Sequence, residues 1–281
     1  MLRRHLLTGE LARRARAHAD GTVAGVGAKD ASTVVLLRDG VDGLEVYLLR
    51  RVSTMAFAAG AYVFPGGGVD APDREADIAW AGPSRDEWGE RLGASPALAG
   101  ALVCAAVRET FEEAGVLLAG TRSGTLVPDT SGREWEDERS ALVRHELALA
   151  PLLRRRGLVL RSDLLGVWSR WITPDFEPRR YDTRFFVAAL PGGQHAKDVS
   201  DEADQVAWMR PGDALAAAGR DEIALLPPTL ETLAELSPYA RAADVLAAAE
   251  TRTVRPRLPQ VHLRGDEVEL VLPEGGEDRD G

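Results

Sequence analysis

Cysteine is almost absent from this sequence of 281 residues, which contains only Cys104. A single cysteine cannot form an intrachain disulfide, which is typical of a protein of the reducing cytoplasm. The five histidines are scattered and lack the spacing of zinc ligands. No run of about 18 apolar residues is present, and the basic start lacks the apolar core of a signal peptide. We therefore expect a cytoplasmic protein with no membrane partner.

Positive charge is scarce as well. Lysine and arginine together number 34 against 44 acidic residues, so the formal net charge is −10. Because an acidic chain repels nucleic-acid phosphates at long range, we expect no nucleic-acid partner. Small anionic substrates can still bind where metal ions neutralise them locally. The hydrophobic fraction of 45% and the charged fraction of 28% are those of a globular protein with a sizeable core.

Three carboxylates stand close together in an otherwise apolar helical stretch from 108 to 116. Glu109, Glu112 and Glu113 have i,i+3 and i,i+4 spacing, so they share one helix face. Like charges placed in this way destabilise a helix by about 0.2–0.5 kcal/mol per pair. Converging carboxylates suit a hard divalent cation such as Mg²⁺ or Mn²⁺, which prefers oxygen ligands. The alternative interpretation is a solvated acidic face.

A glycine-rich turn precedes this helix. The apolar segment 62–64 leads into Pro65, Gly66, Gly67 and Gly68. Without side chains, such a turn lets backbone carbonyls and amides approach a ligand closely. The turn therefore predicts a second part of the same site.

Together the two segments resemble the signature of the Nudix hydrolase family, a glycine loop followed by a helix. The helical half matches at Arg108, Glu109, Glu112, Glu113, Gly115 and Val116, whereas Thr110 stands where the family usually has an aliphatic residue. Gly67 lies much further from Arg108 than the family spacing, which predicts an insertion at about 71–97. We expect this insertion to cover or border the substrate cleft, because long loops inside compact domains tend to be functional.

The resemblance implies an α/β fold, a Nudix-like α/β/α sandwich with a mixed sheet, helical insertions and a C-terminal helical extension. It implies an enzyme that hydrolyses a nucleoside diphosphate linked to another moiety with Mg²⁺ or Mn²⁺. Glu109, Glu112, Glu113 and the carbonyl of Gly67 are then the metal ligands, and Arg108 orients a glutamate. Glu202 fits a family position for a metal ligand or general base, and its alternative is a solvated acidic loop.

A second resemblance concerns a branch of the family that includes the peroxisomal coenzyme A diphosphatase. The segments 57–67 and 171–186 carry it. It implies a coenzyme A or acyl-coenzyme A substrate. Ala56 stands where that branch often has an arginine, so NADH, ADP-ribose and other diphosphates stay open. The chain could also be a non-catalytic nucleotide sensor or a structural subunit. The candidate substrate-binding residues are Arg51, Gly66, Gly67, Arg179, Arg180 and Arg184, although each arginine could instead pair with the protein's own acids.

Four segments organise the chain: a basic helix with a linker at 1–28, a hydrolase domain at 29–219, a helix and hairpin at 220–272, and a disordered tail at 273–281. The basic helix docks on its own domain or on a partner subunit, as in a homodimer. Periodicity predicts strands at 31–38 and 45–51, a further strand starting at 116–118, and helices at 96–114, 134–156 and 227–251.

Overall fold

The computed structural model describes residues 4–52, 60–74, 77–197 and 203–271. The strands are β1 (Arg4–Leu7), β2 (Lys29–Gly40), β3 (Gly43–Arg51), β4 (Ala61–Val63), β5 (Gly66–Gly68), β6 (Trp80–Ala81), β7 (Ala119–Gly120), β8 (Val159–Arg161), β9 (Gly166–Ile172), β10 (Tyr181–Ala189), β11 (Ala203–Met209), β12 (Ala224–Leu225), β13 (Pro256–Arg257), β14 (Gln260–Arg264) and β15 (Glu267–Val271). The helices are α1 (Gly9–Ala19), α2 (Ala71–Arg74), α3 (Arg85–Leu92), α4 (Pro96–Ala114), α5 (Arg133–Val143), α6 (Leu149–Arg155), α7 (Pro211–Gly219), α8 (Pro227–Leu236) and α9 (Ala242–Glu250).

A mixed sheet forms the middle layer of the fold. Its strands follow the order β12-β4-β3-β2-β10-β9-β13, with β11 also paired to β3 and β5 to β2. The apolar run 34–37 of β2 is fully buried because helices cover both faces of the sheet. Val34 and Leu36 pack in the cluster that contains α4, while Val35 and Leu37 pack in the cluster that contains α8 and α9. The predicted α/β/α sandwich is confirmed.

Helix α4 carries the acidic signature and has the predicted boundaries. The Ser95 side chain accepts a hydrogen bond from the Leu98 amide at 3.3 Å, and Pro96 occupies the first turn. These are favourable N-terminal residues, because proline lacks a donor that the first turn would leave unpaired. Gly115 ends the helix in a left-handed conformation with φ 67°.

The insertion folds into α2, β6 and α3. Trp88 on α3 is fully buried and packs edge-on against Phe186 of the central sheet, with ring centroids 5.8 Å apart. Among the described residues from 71 to 97, none lines the large cleft described below. The described part of the insertion therefore packs into the core and does not line this cleft, and its Asp73 contacts Arg108 at the site.

Two long helices predicted from periodicity are each divided in the structure. The stretch 134–156 separates into α5 and α6 because Pro151 cannot donate to a continuous helix, and the connection turns at His145, with φ 55°. The stretch 227–251 separates into α8 and α9 at Ser237 and Pro238 for the same reason. The strand expected from 116 begins only at Ala119.

The two ends of the chain form one small unit. Strand β1 pairs with β15, which also pairs with β14, and α1 packs against this sheet. Ala15, Phe176, Val268 and Leu270 form its core. The predicted basic helix is thus a strand followed by a helix, and it docks on its own chain. The tail predicted at 273–281 lies outside the described residues.

Within the described ranges, no single helix has the length and hydropathy needed to span a membrane. The pair formed by α3 and α4 passes that test only when joined, and the two helices are bent by 90° to each other.

Candidate active site

The glycine strand and the acidic helix meet at one end of the sheet. Strand β5 pairs with β2, so Gly67 lies beside Ser32 and faces the end of α4. A Cβ atom at Gly67 would lie 2.4 Å from Oε1 of Glu109, which leaves no room for a side chain. The Gly66 amide donates a 2.9 Å hydrogen bond to Oε2 of Glu113. The absence of side chains therefore allows direct contact between the turn and the carboxylates.

Arg108 connects the carboxylates to one another. Its buried guanidinium donates from Nη1 to Oε1 of Glu109 at 2.8 Å and to Oε2 of Glu112 at 2.9 Å. Nη2 donates to the Gly68 carbonyl at 2.9 Å. Arg108 thus contacts two glutamates, where the family resemblance implies that it orients one.

Asp73 anchors the other side of Arg108, and sequence reasoning missed it. Its carboxylate accepts from Nη2 of Arg108 at 2.9 Å, from Nε at 3.2 Å and from the Asp70 amide at 3.0 Å. Asp73 belongs to α2 and is 4% exposed. Only the tertiary fold distinguishes it from the other acids of the insertion, since no local pattern marks it.

The electrostatics of the cluster favour an added cation. Burial raises the pKa of Glu109 to about 8, although Arg108 acts in the opposite direction, and the neighbouring Glu112 raises it further. Burial raises the pKa of Glu112 as well. Among the described residues, Oε1 of Glu112 has no hydrogen-bond partner although it is buried. A buried carboxylate oxygen is costly without a partner, and it is a ligand that Mg²⁺ accepts.

The chemistry of these donors fits a divalent metal, but the side chains are not in ligand geometry. In the described part of the chain, no three His, Cys, Asp or Glu side chains gather in an arrangement that could hold a metal ion. The cause is visible in the hydrogen bonds, because Arg108 stands between Glu109 and Glu112 while Gly66 holds Glu113. Each of these hydrogen bonds occupies one carboxylate oxygen, so binding a metal requires the side chains to turn their other oxygen toward it.

A cleft of about 1290 Å³ opens from the carboxylates. The predicted residues that line it are Arg51, Gly66, Gly67, Arg108, Glu109, Glu112, Glu113 and Arg179. Its edge also includes His145, whose Nδ1 lies 3.6 Å from Oδ2 of Asp70. The sequence gives no sign of this role for His145, which is a lone histidine inside a predicted helix.

Two predicted substrate-binding arginines do not reach the cleft lining. Arg180 pairs with Asp175 and donates to the Thr173 carbonyl at 3.0 Å. Arg184 is buried, with Nη1 at 2.9 Å from Asp182. For these two, pairing with the protein's own acids is what the structure shows. Glu202 and Ala56 lie outside the described residues.

The chain is similar to proteins of one known family. The family model described as the NUDT19 Nudix domain matches residues 85–236. The human acyl-coenzyme A diphosphatase NUDT19 is 29% identical over 276 residues, with 83% of this chain and 72% of that protein covered. The chicken protein of the same name is 28% identical over 242 residues, with 72% of this chain and 63% of that protein covered.

The fold has a solved counterpart. The crystal structure of a NUDIX hydrolase from Alicyclobacillus acidocaldarius is 30% identical, covers 79% of this chain and 96% of its own, and superposes with a TM-score of 0.65. Nudix hydrolases generally need a divalent metal, which the donor set at Glu109, Glu112 and Glu113 suits. The matched family model, the acidic helix and the sandwich fold together show that this chain belongs to the Nudix hydrolase family.

Proposed function

We propose that this enzyme hydrolyses the pyrophosphate bond of coenzyme A or an acyl-coenzyme A in a reaction that depends on Mg²⁺ or Mn²⁺. The cluster of Glu109, Glu112 and Glu113 against the glycine strand, in which Glu109 and Glu112 are buried, carries the proposal. The names of the human and chicken relatives support the substrate class. The cleft is also far larger than a pyrophosphate group needs, which suits a long substrate.

Glu109, Glu112, Glu113 and the Gly67 carbonyl would hold the metal. Bound there, a divalent cation offsets the charge of the pyrophosphate and lowers the pKa of a water molecule. Arg108 keeps Glu109 and Glu112 in position through its two hydrogen bonds from Nη1. The glycine turn admits the phosphates close to the backbone, since Gly66 and Gly67 line the cleft without side chains.

Arg51 and Arg179 are the arginines that we propose for phosphate recognition, because both line the cleft. A charge-assisted hydrogen bond to a phosphate is about twice as strong as a neutral one, so either side chain could fix the substrate's orientation. We keep Glu202 as the proposed general base or additional metal ligand on the basis of its family position.

A substrate panel tests the proposal. Coenzyme A, dephospho-coenzyme A, octanoyl-coenzyme A, NADH and ADP-ribose are each incubated with Mg²⁺ or Mn²⁺, and products are separated by chromatography. We expect coenzyme A and octanoyl-coenzyme A to yield adenosine 3′,5′-bisphosphate and a phosphopantetheine product, and chelator to abolish turnover. Dephospho-coenzyme A lacks the 3′-phosphate, so its cleavage would yield AMP instead. Cleavage of NADH or ADP-ribose with no cleavage of any coenzyme A species would contradict the substrate. Binding without turnover of any panel member would favour a nucleotide sensor.

The cellular setting and the oligomeric state are separate proposals. Cys104 is a buried thiol whose pKa is raised by burial, so it packs as a core residue and suits a reducing cytoplasm. A homodimer is the second of these proposals, and light scattering on the purified chain measures it directly.

A further inference from the structure

The floor of the cleft extends well beyond the carboxylates. Strand β5 pairs with β2, β2 with β10, and β10 with β9. Thr183 lies opposite Ala31 on one side and Trp171 on the other, so these three side chains share one face, and all three line the cleft. Three steps of about 4.8 Å between neighbouring strands give a floor roughly 14 Å wide from the glycine strand to β9.

An apolar wall stands at the end of this floor, and the two ends of the chain build it. We define the terminal wall as the lining residues Leu7, Leu11, Phe176, Pro259 and Leu270. Leu7 and Leu11 come from β1 and α1, and Leu270 comes from β15. Four of these five residues lie outside the residues 85–236 that the family model matches.

The arginines of α1, next to the terminal wall, form ion pairs or hydrogen bonds with other groups of this chain. Arg13 pairs with Glu10, and Arg16 donates to the Gly265 carbonyl at 3.1 Å. Arg14, which lines the cleft, donates to the Phe176 carbonyl at 3.2 Å. Leu11, by contrast, is 42% exposed on the cleft side of α1. The wall thus offers apolar surface rather than a binding site for phosphate.

We propose that the terminal wall binds the acyl chain of an acyl-coenzyme A. The inference rests on the proposed function, and it names the part of the substrate that the far end of the cleft recognises. An extended pantetheine arm spans roughly 15 Å, judged from ordinary bond lengths. With the pyrophosphate at the glycine strand, this arm crosses the floor, and the thioester arrives where the apolar side chains begin. An acyl chain there would be removed from water by Leu7, Leu11 and Leu270.

The test compares two neighbouring leucines of β1 and one of α1. Leu11→Ser and Leu7→Ser change the wall, whereas Leu6→Ser is the matched control, because Leu6 is 60% exposed and does not line the cleft. We expect kcat/KM for octanoyl-coenzyme A to fall about ten-fold in Leu11→Ser, mainly through KM, and to stay unchanged in the control. Turnover of free coenzyme A should be the same in all three variants.

A binding measurement keeps the inference testable without turnover. With chelator present, calorimetry should show that octanoyl-coenzyme A binds the full chain more tightly than coenzyme A, and that Leu11→Ser removes the difference. Equal affinities of the two ligands, or equal effects of Leu11→Ser and Leu6→Ser, would overturn the acyl site while leaving coenzyme A hydrolysis intact. Failure of the proposed function looks different, since no coenzyme A species would then be cleaved while another diphosphate is.

Discussion

Arg108 is held from two sides, and the two sides have different origins. The glutamates belong to its own helix, one and four residues away, whereas Asp73 comes from the insertion 35 residues earlier. Because the guanidinium is held by Asp73 as well as by the two glutamates, we propose that it acts as a positioning residue for Glu109 and Glu112. We therefore propose that the insertion contributes to catalysis through the carboxylate of Asp73.

Replacing Asp73 with asparagine tests this positioning role. Asp73→Asn retains the size of the side chain but loses its charge, so Arg108 is held less firmly. We expect kcat to fall about 10- to 100-fold with little change in KM, as for other residues that support metal ligands. Asp77→Asn, at an exposed position of the same insertion, is the control. A rise in KM alone, or equal kinetics in both variants, would rule the role out.

Glu112 is the carboxylate whose removal should be most damaging to turnover. Its Oε1 is buried with no partner among the described residues, which is the arrangement expected of a metal ligand. Glu112→Gln should lower kcat at least about 100-fold, while circular dichroism shows an intact fold, because one like charge leaves the helix face. Glu90→Gln, at an exposed position of α3, serves as control. Near-normal turnover of the Glu112 variant would refute the assignment.

The sequence reveals those site residues that are close to one another along the chain. Glu109, Glu112, Glu113 and Arg108 share two turns of one helix, so spacing alone brings them together. Asp73 and His145 cannot be found in this way, since only tertiary contacts bring them to the site. Sequence spacing also cannot predict that Arg179 lines the cleft whereas Arg184 does not. Strand register and neighbouring acids decide which arginine reaches the cleft.

At the scale of the element, strand β5 works through two glycines with different surroundings. A Cβ at Gly67 would meet Oε1 of Glu109 at 2.4 Å, whereas a Cβ at Gly68 would meet nothing within 4 Å. Gly67→Ala should therefore displace the Glu109 carboxylate and lower kcat about 100-fold, since a displacement of about 1 Å can cost that much. Gly68→Ala should retain most activity. Steady-state kinetics of the two variants test this prediction. Similar losses of kcat in both would show that the contact between Gly67 and Glu109 is unimportant.

Helix α3 should behave as a core element. Trp88 is fully buried against Phe186, so truncation leaves a large cavity. Trp88→Ala should lower the free energy of unfolding by about 3–5 kcal/mol, as measured by denaturant titration. Glu90→Ala on the same helix should change it by less than about 0.5 kcal/mol. A small loss in the Trp88 variant would instead support an insertion that merely covers the protein.

Local signals predict some elements well and others poorly. The boundaries of α4 follow from Ser95, Pro96 and Gly115, which act on the backbone directly. Periodicity alone misses the break between α5 and α6, just before Pro151, and the break at Pro238. The apolar pattern continues across both, although proline cannot donate to a helix. A single capping residue or proline therefore predicts a helix boundary better than the apolar periodicity of the whole segment does.

At the scale of the whole molecule, the pairing of the chain ends cannot be read from the sequence. Residues 4–7 align with 268–271 across almost the full length of the chain. The hairpin of β14 and β15 is local and follows from the sequence, but its choice of β1 as a third strand depends on long-range packing around Phe176. The terminal wall of the cleft is therefore a property of the assembled fold alone.

The buried carboxylates also couple the stability of the whole molecule to pH. Burial raises the pKa of Glu109 to about 8 from the ordinary value of 4.5. Between these two values the folded chain binds more protons than the unfolded chain, so this group makes the metal-free protein less stable as pH rises through the window. Above about pH 8 both states are deprotonated, and the effect levels off.

A divalent cation should reverse this trend, because it binds the deprotonated carboxylates and must displace the proton from Glu109. We therefore expect Mg²⁺ to raise Tm more at about pH 8.5 than at about pH 6, by mass action on a tighter site. Thermal unfolding at both pH values, with Mg²⁺ or with chelator, measures the effect in the wild type and in Glu109→Gln. The variant carries no titratable group at this position. Without metal, the Tm of the variant minus the Tm of the wild type should therefore increase as pH rises. If the Tm difference between the two proteins is the same at both pH values, Glu109 is not protonated in the folded state, and the proposed competition between proton and metal is wrong.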